Sequence, residues 1–258
     1  MERILVKIET ESQKLNNSPL CHWLLNDKIN DEDHLSFTPS MLFFVLGFKD
    51  ILSAMHVSNP QTETDIEINK HCQEDLNHWK WYLRDLESLG FIPQSWGTRM
   101  SDMFQQIWGD ESFEVRQLVY TVIHQVKKHN NPLMSLIIIE YLEAAFAVFI
   151  QHMLVPINKL GYYEQLEYFG KIHVEKEMAH SRGSWVEGQR SEPASGFKKH
   201  IIDDATLQQA IIVIDEISVQ MQNVFNHWFS ARKDFVRFAP TEAKQVSTNE
   251  EEKINESM

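Results

Sequence analysis

The chain has little of what most β-rich or disulfide-stabilised proteins contain. Only nine glycines and eight prolines occur among its 258 residues, and this scarcity favours long helices over a fold with many turns. Its two cysteines, Cys21 and Cys72, are too few for a disulfide framework and are typical of a reducing compartment. The sequence also lacks a Gly-rich phosphate loop, a GxSxG motif and an HExxH motif. It therefore carries none of the common signatures of nucleotide-binding proteins, serine hydrolases or zinc proteases.

Positive charge and long apolar runs are scarce as well. The formal net charge of −13 disfavours binding to nucleic acid and to anionic membranes. The N-terminal residues MERILVKIETESQK interleave charged and apolar side chains, unlike a signal peptide. The longest apolar segment, residues 136–150, is interrupted by Glu140 and Glu143. We therefore expect a soluble, cytoplasmic protein with neither nucleic acid nor membrane as a partner.

Two stretches about a hundred residues apart share one spacing of histidine and carboxylate. The first is His71-x3-Asp75-x2-His78, and the second is His173-x3-Glu177-x2-His180. On a helix, positions i, i+4 and i+7 lie within roughly 60° of one another, so each stretch can project two imidazoles and one carboxylate from one face. With 12 histidines and 37 acidic residues in the chain, roughly 0.08 copies of this pattern are expected by chance. The repetition predicts a metal site divided between two helices.

Carboxylates elsewhere complete the predicted ligand set. Glu140 and Glu143 lie in the apolar segment SLIIIEYLEAAFAVFI, where burial of a charge is costly unless a cation or a partner compensates it. Either one can bridge two ions, and Glu74 is the second choice beside Asp75. The alternative interpretation is that the histidines and acids are ordinary polar residues of solvent-exposed helix faces. Nitrogen and oxygen donors without cysteine suit iron, with two ions expected, or manganese.

Helical periodicity recurs along the chain without a competing strand pattern, which predicts a single-domain all-α bundle of about seven to nine helices. We expect the bundle over residues 1–238 and a disordered acidic tail over residues 239–258. Thr62 with Asp65, Asn131 with Pro132, and Asp203 or Asp204 are predicted N-caps. The predicted helices cover a short amphipathic N-terminal segment and residues 39–57, 62–90, 98–108, 113–129, 132–156, 163–181 and 203–228. Pro156 is expected to bend or end its helix.

The segments HCQEDLNHWKWYLRDLESLG and EYFGKIHVEKEMAH resemble the haem-oxygenase-like iron-containing redox enzymes, also described as haem-oxygenase-like di-iron oxidases. The resemblance covers about residues 36–232. It implies a helical bundle whose core helices supply histidine and carboxylate ligands to a labile di-iron site. Such enzymes activate dioxygen to oxidise small organic molecules.

The resemblance also assigns ligands by position. It matches His78 to an early-helix histidine, Glu140 or Glu143 to a middle-helix glutamate, and His173, Glu177 and His180 to a late-helix triad. One position departs from the pattern, because His71 occupies the place of a glutamate, for which Asp75 or Glu74 can compensate. The predicted metal ligands are thus His71, Asp75, His78, Glu140, Glu143, His173, Glu177 and His180.

We therefore expect an iron- and dioxygen-dependent oxidoreductase that takes a small organic substrate and an unidentified electron donor, and that is compatible with a homodimer. The substrate pocket is expected near Trp79, Phe169 and Trp185, with residues 182–199 as a lid. Two alternatives remain open. One is a metal-free enzyme of thiaminase-II type using Cys21 or Cys72, and the other is a non-catalytic protein that binds haem, a related tetrapyrrole or a helical partner.

Overall fold

The computed structural model of the chain is built of α-helices. It describes residues 1–91, 101, 107–179 and 202–232, with the backbone alone at residues 111 and 177–179. The helices are α1 (Glu2–Asn16), α2 (Pro19–Leu24), α3 (Leu42–Met55), α4 (Glu63–Asp75), α5 (His78–Ser88), α6 (Phe113–His129), α7 (Pro132–Lys159), α8 (Lys171–Ala179) and α9 (Asp204–Ala231). Short 3₁₀ helices lie at Asp33–Leu35, Thr38–Met41 and Asp110–Ser112. No β-strand occurs within the described ranges, which confirms the all-α class there.

Helix α7 forms the centre of the fold. Its residues from Met134 to Leu142 are buried without interruption, so neighbouring helices cover every side of this segment. It packs against α1, α2, α4, α6 and α9, while α6 lies between α3 and α9. Because the apolar segment is covered all round, it carries Glu140 and Glu143 towards the interior.

Two described segments, Asp33–Met55 and Pro132–Lys159, have the length and hydropathy of membrane-spanning helices. Core helices of globular bundles meet the same criteria when their apolar surface is covered by protein. The most apolar window of Pro132–Lys159 is 78% buried inside the fold. We therefore interpret this segment as the core helix of the bundle.

The predicted helix starts agree with the caps in the structure. Thr62 and Asp65 form a reciprocal capping box at the start of α4. The side chain of Asn131 accepts a hydrogen bond from the Leu133 backbone N–H beside Pro132, and Asp203 accepts one from the Thr206 N–H. These side chains satisfy backbone donors that have no partner within the first helical turn.

The end of α5 was also predicted correctly, at Gly90. This glycine has a φ of +79°, which is the left-handed conformation that residues with a Cβ rarely adopt. Its N–H donates to the carbonyl of Glu87, and the Phe91 N–H donates to that of Leu86. The two bonds form a Schellman motif, which terminates the helix.

The first histidine stretch does not lie on one continuous helix, so the prediction of a single helix over residues 62–90 was wrong. Helix α4 ends at Asp75 and α5 begins at His78. Asn77, with φ −111° and ψ 4°, leaves the helical region between them. Asparagine is a weak helix former, which makes it a suitable residue for this interruption. As a result, His78 opens a new helix and does not follow the straight i+7 geometry.

The second histidine stretch begins its helix later than predicted. The chain turns through residues 162–170, and α8 starts at Lys171 rather than at Tyr163. Gly170 explains the turn, because a Cβ at this position would overlap the carbonyl oxygens of Tyr163 and Leu166. The Lys171 N–H then donates to the Tyr163 carbonyl at 2.9 Å. The chain therefore folds tightly back on itself just before His173.

Pro156 does not end its helix, since α7 continues to Lys159. A proline has no N–H, so Pro156 makes no hydrogen bond to the carbonyl four residues earlier, and the helix ends within one turn after it. Other predictions lie wholly or largely outside the described residues. These are the helix at 98–108, the loop at 182–199, and the boundary between bundle and tail at 238.

Candidate metal centre

The last turn of α4 brings His71 and Asp75 into direct contact. Their spacing of four residues puts the two side chains on the same helix face. The His71 Nε2 atom lies 3.0 Å from Asp75 Oδ2, and each side chain is only 2% exposed. Burial of a carboxylate is costly unless a proton donor or a cation compensates its charge. This pair is therefore the core of the candidate site.

Helix α7 adds Glu143 to the same group. Glu143 Oε1 lies 3.4 Å from His71 Nε2, and its side chain is 12% exposed. One ligand atom from each of His71, Asp75 and Glu143 lies within 4.8 Å of the others. Nitrogen and oxygen atoms at such separations fit the coordination of one transition-metal ion. The same Nε2 atom can instead carry a proton and donate it to these oxygens.

The second oxygen of Asp75 faces a different imidazole. Asp75 Oδ1 lies 3.6 Å from His78 Nε2 across the interruption between α4 and α5. The carboxylate therefore has His71 on one oxygen and His78 on the other. A carboxylate with this arrangement suits a bridging position between two cations.

Helix α8 places His173 beside His78. The two ring centroids are 4.4 Å apart, and His173 is only 4% exposed. The His173 Nδ1 atom lies 3.0 Å from the carbonyl oxygen of Tyr168. Because a carbonyl only accepts, Nδ1 is the donor in this contact, which leaves Nε2 as the nitrogen that can bind a metal ion. Metal-binding histidines are commonly oriented by such a bond from their other nitrogen.

A buried carboxylate on α5 anchors the turn before His173. Asp85 accepts hydrogen bonds from the backbone N–H groups of Glu167, Tyr168 and Phe169 at 2.8, 2.8 and 2.9 Å. Burial raises the pKa of Asp85 to about 6, against the opposing effect of these three donors. Asp85 thereby fixes the carbonyl of Tyr168 that orients His173. The sequence analysis missed this residue, since Asp85 belongs to neither histidine stretch.

The remaining predicted ligands are placed differently. Glu140 is 1% exposed on α7 but is not a member of the group of His71, Asp75 and Glu143. The Glu74 carboxylate lies 3.7 Å from Lys70 Nζ on the outer side of α4, so Asp75 is the acid that accompanies His71. The side chain of Glu177 and the whole of His180 lie outside the described residues.

Glu175 and Lys176, which lie between the predicted ligands His173 and Glu177, differ in their exposure. Glu175 has a side chain that is 60% exposed. Lys176, in contrast, is half-buried, and its Nζ donates to the backbone carbonyl of Glu74. The same Nζ lies 3.1 Å from His78 Nε2 and 5.2 Å from the ring centroid of Trp81. Sequence spacing did not reveal this contact, because it joins helices about a hundred residues apart.

An apolar cleft opens onto this group. Asp75, His78, Glu143 and His173 lie in its wall, together with Lys49. Among the described residues, the cleft is also lined by Phe44, Val45, Phe48, Leu76, Trp79, Leu142, Phe146 and Tyr168. Trp79 was expected here, but Phe169 is fully buried and Tyr168 takes its place in the lining. Trp185 lies outside the described residues. The cleft suits a small apolar or aromatic molecule.

The two cysteines are in surroundings typical of packing residues. Burial raises the pKa of the Cys21 thiol to about 11, which disfavours the nucleophilic thiolate. Cys72 is 5% exposed, and its Sγ lies 3.3 Å from the carbonyl oxygen of Leu52. These surroundings do not favour either thiol as the nucleophile of a metal-free hydrolase.

Comparison with known proteins adds no further evidence. No protein-family model matches this chain, and no curated protein matches it. The resemblance to haem-oxygenase-like di-iron oxidases therefore stays a prediction that depends on the motif residues. The site described above is independent of that resemblance, because it follows from contacts between His71, Asp75, His78, Glu143 and His173.

Proposed function

We propose that the protein is an iron- and dioxygen-dependent oxidoreductase with a haem-oxygenase-like helical bundle. The observation that carries this proposal is the position of the Asp75 carboxylate, whose two oxygens face His71 and His78, with Glu143 in the same group. A buried set of imidazoles and carboxylates without thiolates fits iron, with manganese as the alternative ion. The donor atoms and their burial are the observations that support the proposed class.

The residues divide into two potential binding positions. His71, Asp75 and Glu143 would hold one ion. His78, His173 and the second oxygen of Asp75 would contribute to the other, with Glu177 and His180 as the further predicted ligands. Bound iron would supply the redox chemistry with dioxygen that amino-acid side chains lack.

The chain's own residues would bind and orient the substrate. The aromatic side chains of Phe44, Phe48, Trp79 and Phe146 line the cleft next to the carboxylates, so they can hold an apolar substrate against the site and exclude water. The Nδ1–H of His173 keeps its ring fixed through the Tyr168 carbonyl. We further propose that the enzyme is cytoplasmic, acts on a small organic molecule and receives electrons from a separate donor.

Iron binding tests the proposal directly. The metal-free protein is incubated anaerobically with ferrous iron, desalted, and analysed for iron per chain and for absorbance changes on admission of oxygen. We expect one or two ions per chain and a new absorption band after oxygen is admitted. The His71→Ala variant should lose most of the iron. The His56→Ala variant is the matched control, because His56 is an exposed histidine at the end of α3.

Two results would contradict the proposal. One is iron far below one equivalent in the wild-type protein together with an unchanged spectrum. The other is equal iron content in the His71→Ala and His56→Ala variants, since this would place the bound iron elsewhere. Circular dichroism of both variants checks that each remains folded.

A further inference from the structure

Lys176 makes three contacts around the second proposed binding position, which contains His78 and His173. Its ammonium donates to the Glu74 carbonyl at the end of α4, lies 3.1 Å from His78 Nε2, and lies 5.2 Å from the centroid of the Trp81 ring. Trp81 in turn stacks on His78, with ring centroids 4.5 Å apart and an interplanar angle of 20°. The lysine therefore occupies a defined place among groups from α4 and α5.

In the contact with Lys176, the Nε2 atom of His78 is the hydrogen-bond acceptor. An ammonium group has only donors, so Lys176 uses the lone pair of His78 Nε2 as its acceptor. A metal ion that binds His78 through Nε2 needs the same lone pair. Lysine and metal therefore cannot occupy this nitrogen together. A divalent cation at this position would also be repelled by the positive charge of the ammonium.

The first proposed binding position, formed by His71, Asp75 and Glu143, has different charges around its imidazole. His71 Nε2 has the oxygens of Asp75 and Glu143 beside it at 3.0 and 3.4 Å, and both oxygens attract a cation. His78 Nε2 has one carboxylate oxygen, Asp75 Oδ1, at 3.6 Å and the Lys176 ammonium nearer, at 3.1 Å. The contacts of Lys176 are with His78, Trp81 and the Glu74 carbonyl, all on the side of the site formed by α5 and the end of α4. The two binding positions should therefore differ in their affinity for a metal ion.

We propose that Lys176 is an internal cation that competes with a metal ion for His78 and so determines the occupancy of the site. The first ion binds at His71, Asp75 and Glu143. The second binds at His78 and His173 only when the Lys176 ammonium moves away. This inference rests on the proposed metal-binding function. It identifies the residue that makes the two positions differ in metal affinity.

A purely structural role for Lys176 is the competing explanation. The bond to the Glu74 carbonyl ties α8 to α4, so loss of the lysine could simply loosen the contact between them. A structural tie predicts that every variant lacking the bond weakens metal binding. An internal competitor predicts the opposite result for the second ion, namely tighter binding when the charge is removed.

The experiment is an anaerobic titration of the full chain with Co²⁺, followed by calorimetry and by the visible absorption of the bound ion. Lys176→Met removes the charge and keeps the apolar stem, Lys176→Gln keeps a donor for the Glu74 carbonyl, and Lys176→Arg keeps the charge. Lys171→Met is the matched control on the same helix, where the lysine pairs with Glu164 at 2.8 Å and is partly exposed. Thermal unfolding of each metal-free variant checks its fold.

We expect the wild-type protein and the Lys171→Met variant to bind one ion tightly and a second weakly. In the two neutral variants of Lys176 the second ion should bind at least about tenfold more tightly, with the first ion changed less than about threefold. Lys176→Arg should resemble the wild-type protein. The added absorption of the second ion should appear at lower Co²⁺ concentration in the neutral variants.

Failure of the proposed role of Lys176 and failure of the proposed function would give different results. Equal or weaker binding of the second ion in both neutral variants would overturn the role of Lys176 and leave the proposed function intact. Binding of no ion by the wild-type protein or by any variant would overturn the proposed function and this inference with it. If Lys176→Met proves unstable, Lys176→Gln gives the same comparison with the contact to Glu74 preserved.

Discussion

The two histidine stretches share a spacing but are held by different means. In the first stretch, His71 and Asp75 touch directly on α4, which packs between α3 and α7. In the second, His173 is oriented through the Tyr168 carbonyl, and the turn before it is fixed by Asp85. The comparison teaches that a repeated spacing can predict contacts within one helix. Contacts between the stretches depend on anchors that the spacing does not contain.

Replacement of Asp75 should produce the largest effect, because its carboxylate faces both imidazoles of the first stretch. We expect Asp75→Ala to weaken the binding of each ion at least about 100-fold, since each ligand of a tight site contributes roughly 3 kcal/mol. Calorimetric titration with Co²⁺ or Fe²⁺ measures this change. Asp50→Ala on α3 removes an exposed aspartate and serves as the control. Unchanged affinity in Asp75→Ala would mean that the first stretch is not a ligand set.

Replacement of Asp85 tests the anchor of the second stretch. Asp85→Ala leaves the backbone N–H groups of Glu167, Tyr168 and Phe169 without their acceptor. We expect the free energy of unfolding to fall by about 3 kcal/mol, because a buried donor without a partner costs about 1–3 kcal/mol. Urea denaturation measures the loss, and amide exchange should become faster at these three residues.

The neighbouring exposed residue provides the control for Asp85. Arg84 pairs with Glu167 at 2.5 Å on the surface, and exposed pairs of this kind contribute little to stability. Arg84→Ala should therefore leave the urea midpoint nearly unchanged. A similar loss in both variants would show that the surface pair, rather than the buried carboxylate, fixes the turn.

The pH dependence of stability gives a second test of the role of Asp85 in the turn before His173. Burial raises the pKa of Asp85 to about 6 in the folded protein, above its ordinary value of 3.8. The folded state therefore binds more protons than the unfolded state between these pH values. The contribution of this group is fully present below about pH 4 and is lost as the pH rises through about 6. The difference of about two pH units corresponds to about 3 kcal/mol.

Urea denaturation from pH 4 to pH 7 measures this contribution when the wild-type protein is compared with Asp85→Asn. The asparagine variant removes the titrating group, so its stability should fall less steeply, or rise more steeply, with pH in this window. Parallel curves would show that Asp85 titrates with an ordinary pKa despite its burial.

The two glutamates of α7 give the comparison with the smallest expected effect. Both lie in the apolar segment, but the structure groups only Glu143 with His71 and Asp75. We expect Glu143→Gln to weaken metal binding about 10- to 100-fold, and Glu140→Gln to change it less than about threefold. Titration of both variants with the same ion decides between them. A larger loss in Glu140→Gln would show that Glu140 is the ligand from the middle helix.

Several features of the fold could be predicted because they depend on residues close in sequence. The capping box of Thr62 and Asp65, the cap at Asn131 and the left-handed Gly90 are all local hydrogen-bonding arrangements. The contact of His71 with Asp75 belongs to the same kind, since four residues make one helical turn. Helix bounds were less accurate at Asn77 and Gly170, where tertiary contacts and a tight turn interrupt the periodic pattern.

By itself, the sequence determined the helical class and the contact of His71 with Asp75 on one helix face, because helical periodicity and capping are short-range effects. Only the tertiary structure decided that Glu143 joins His71, that Asp85 anchors the turn before His173, and that Lys176 reaches His78. These contacts join residues far apart in the chain. Their physical basis is the packing of whole helices, which fixes distances that no local pattern encodes.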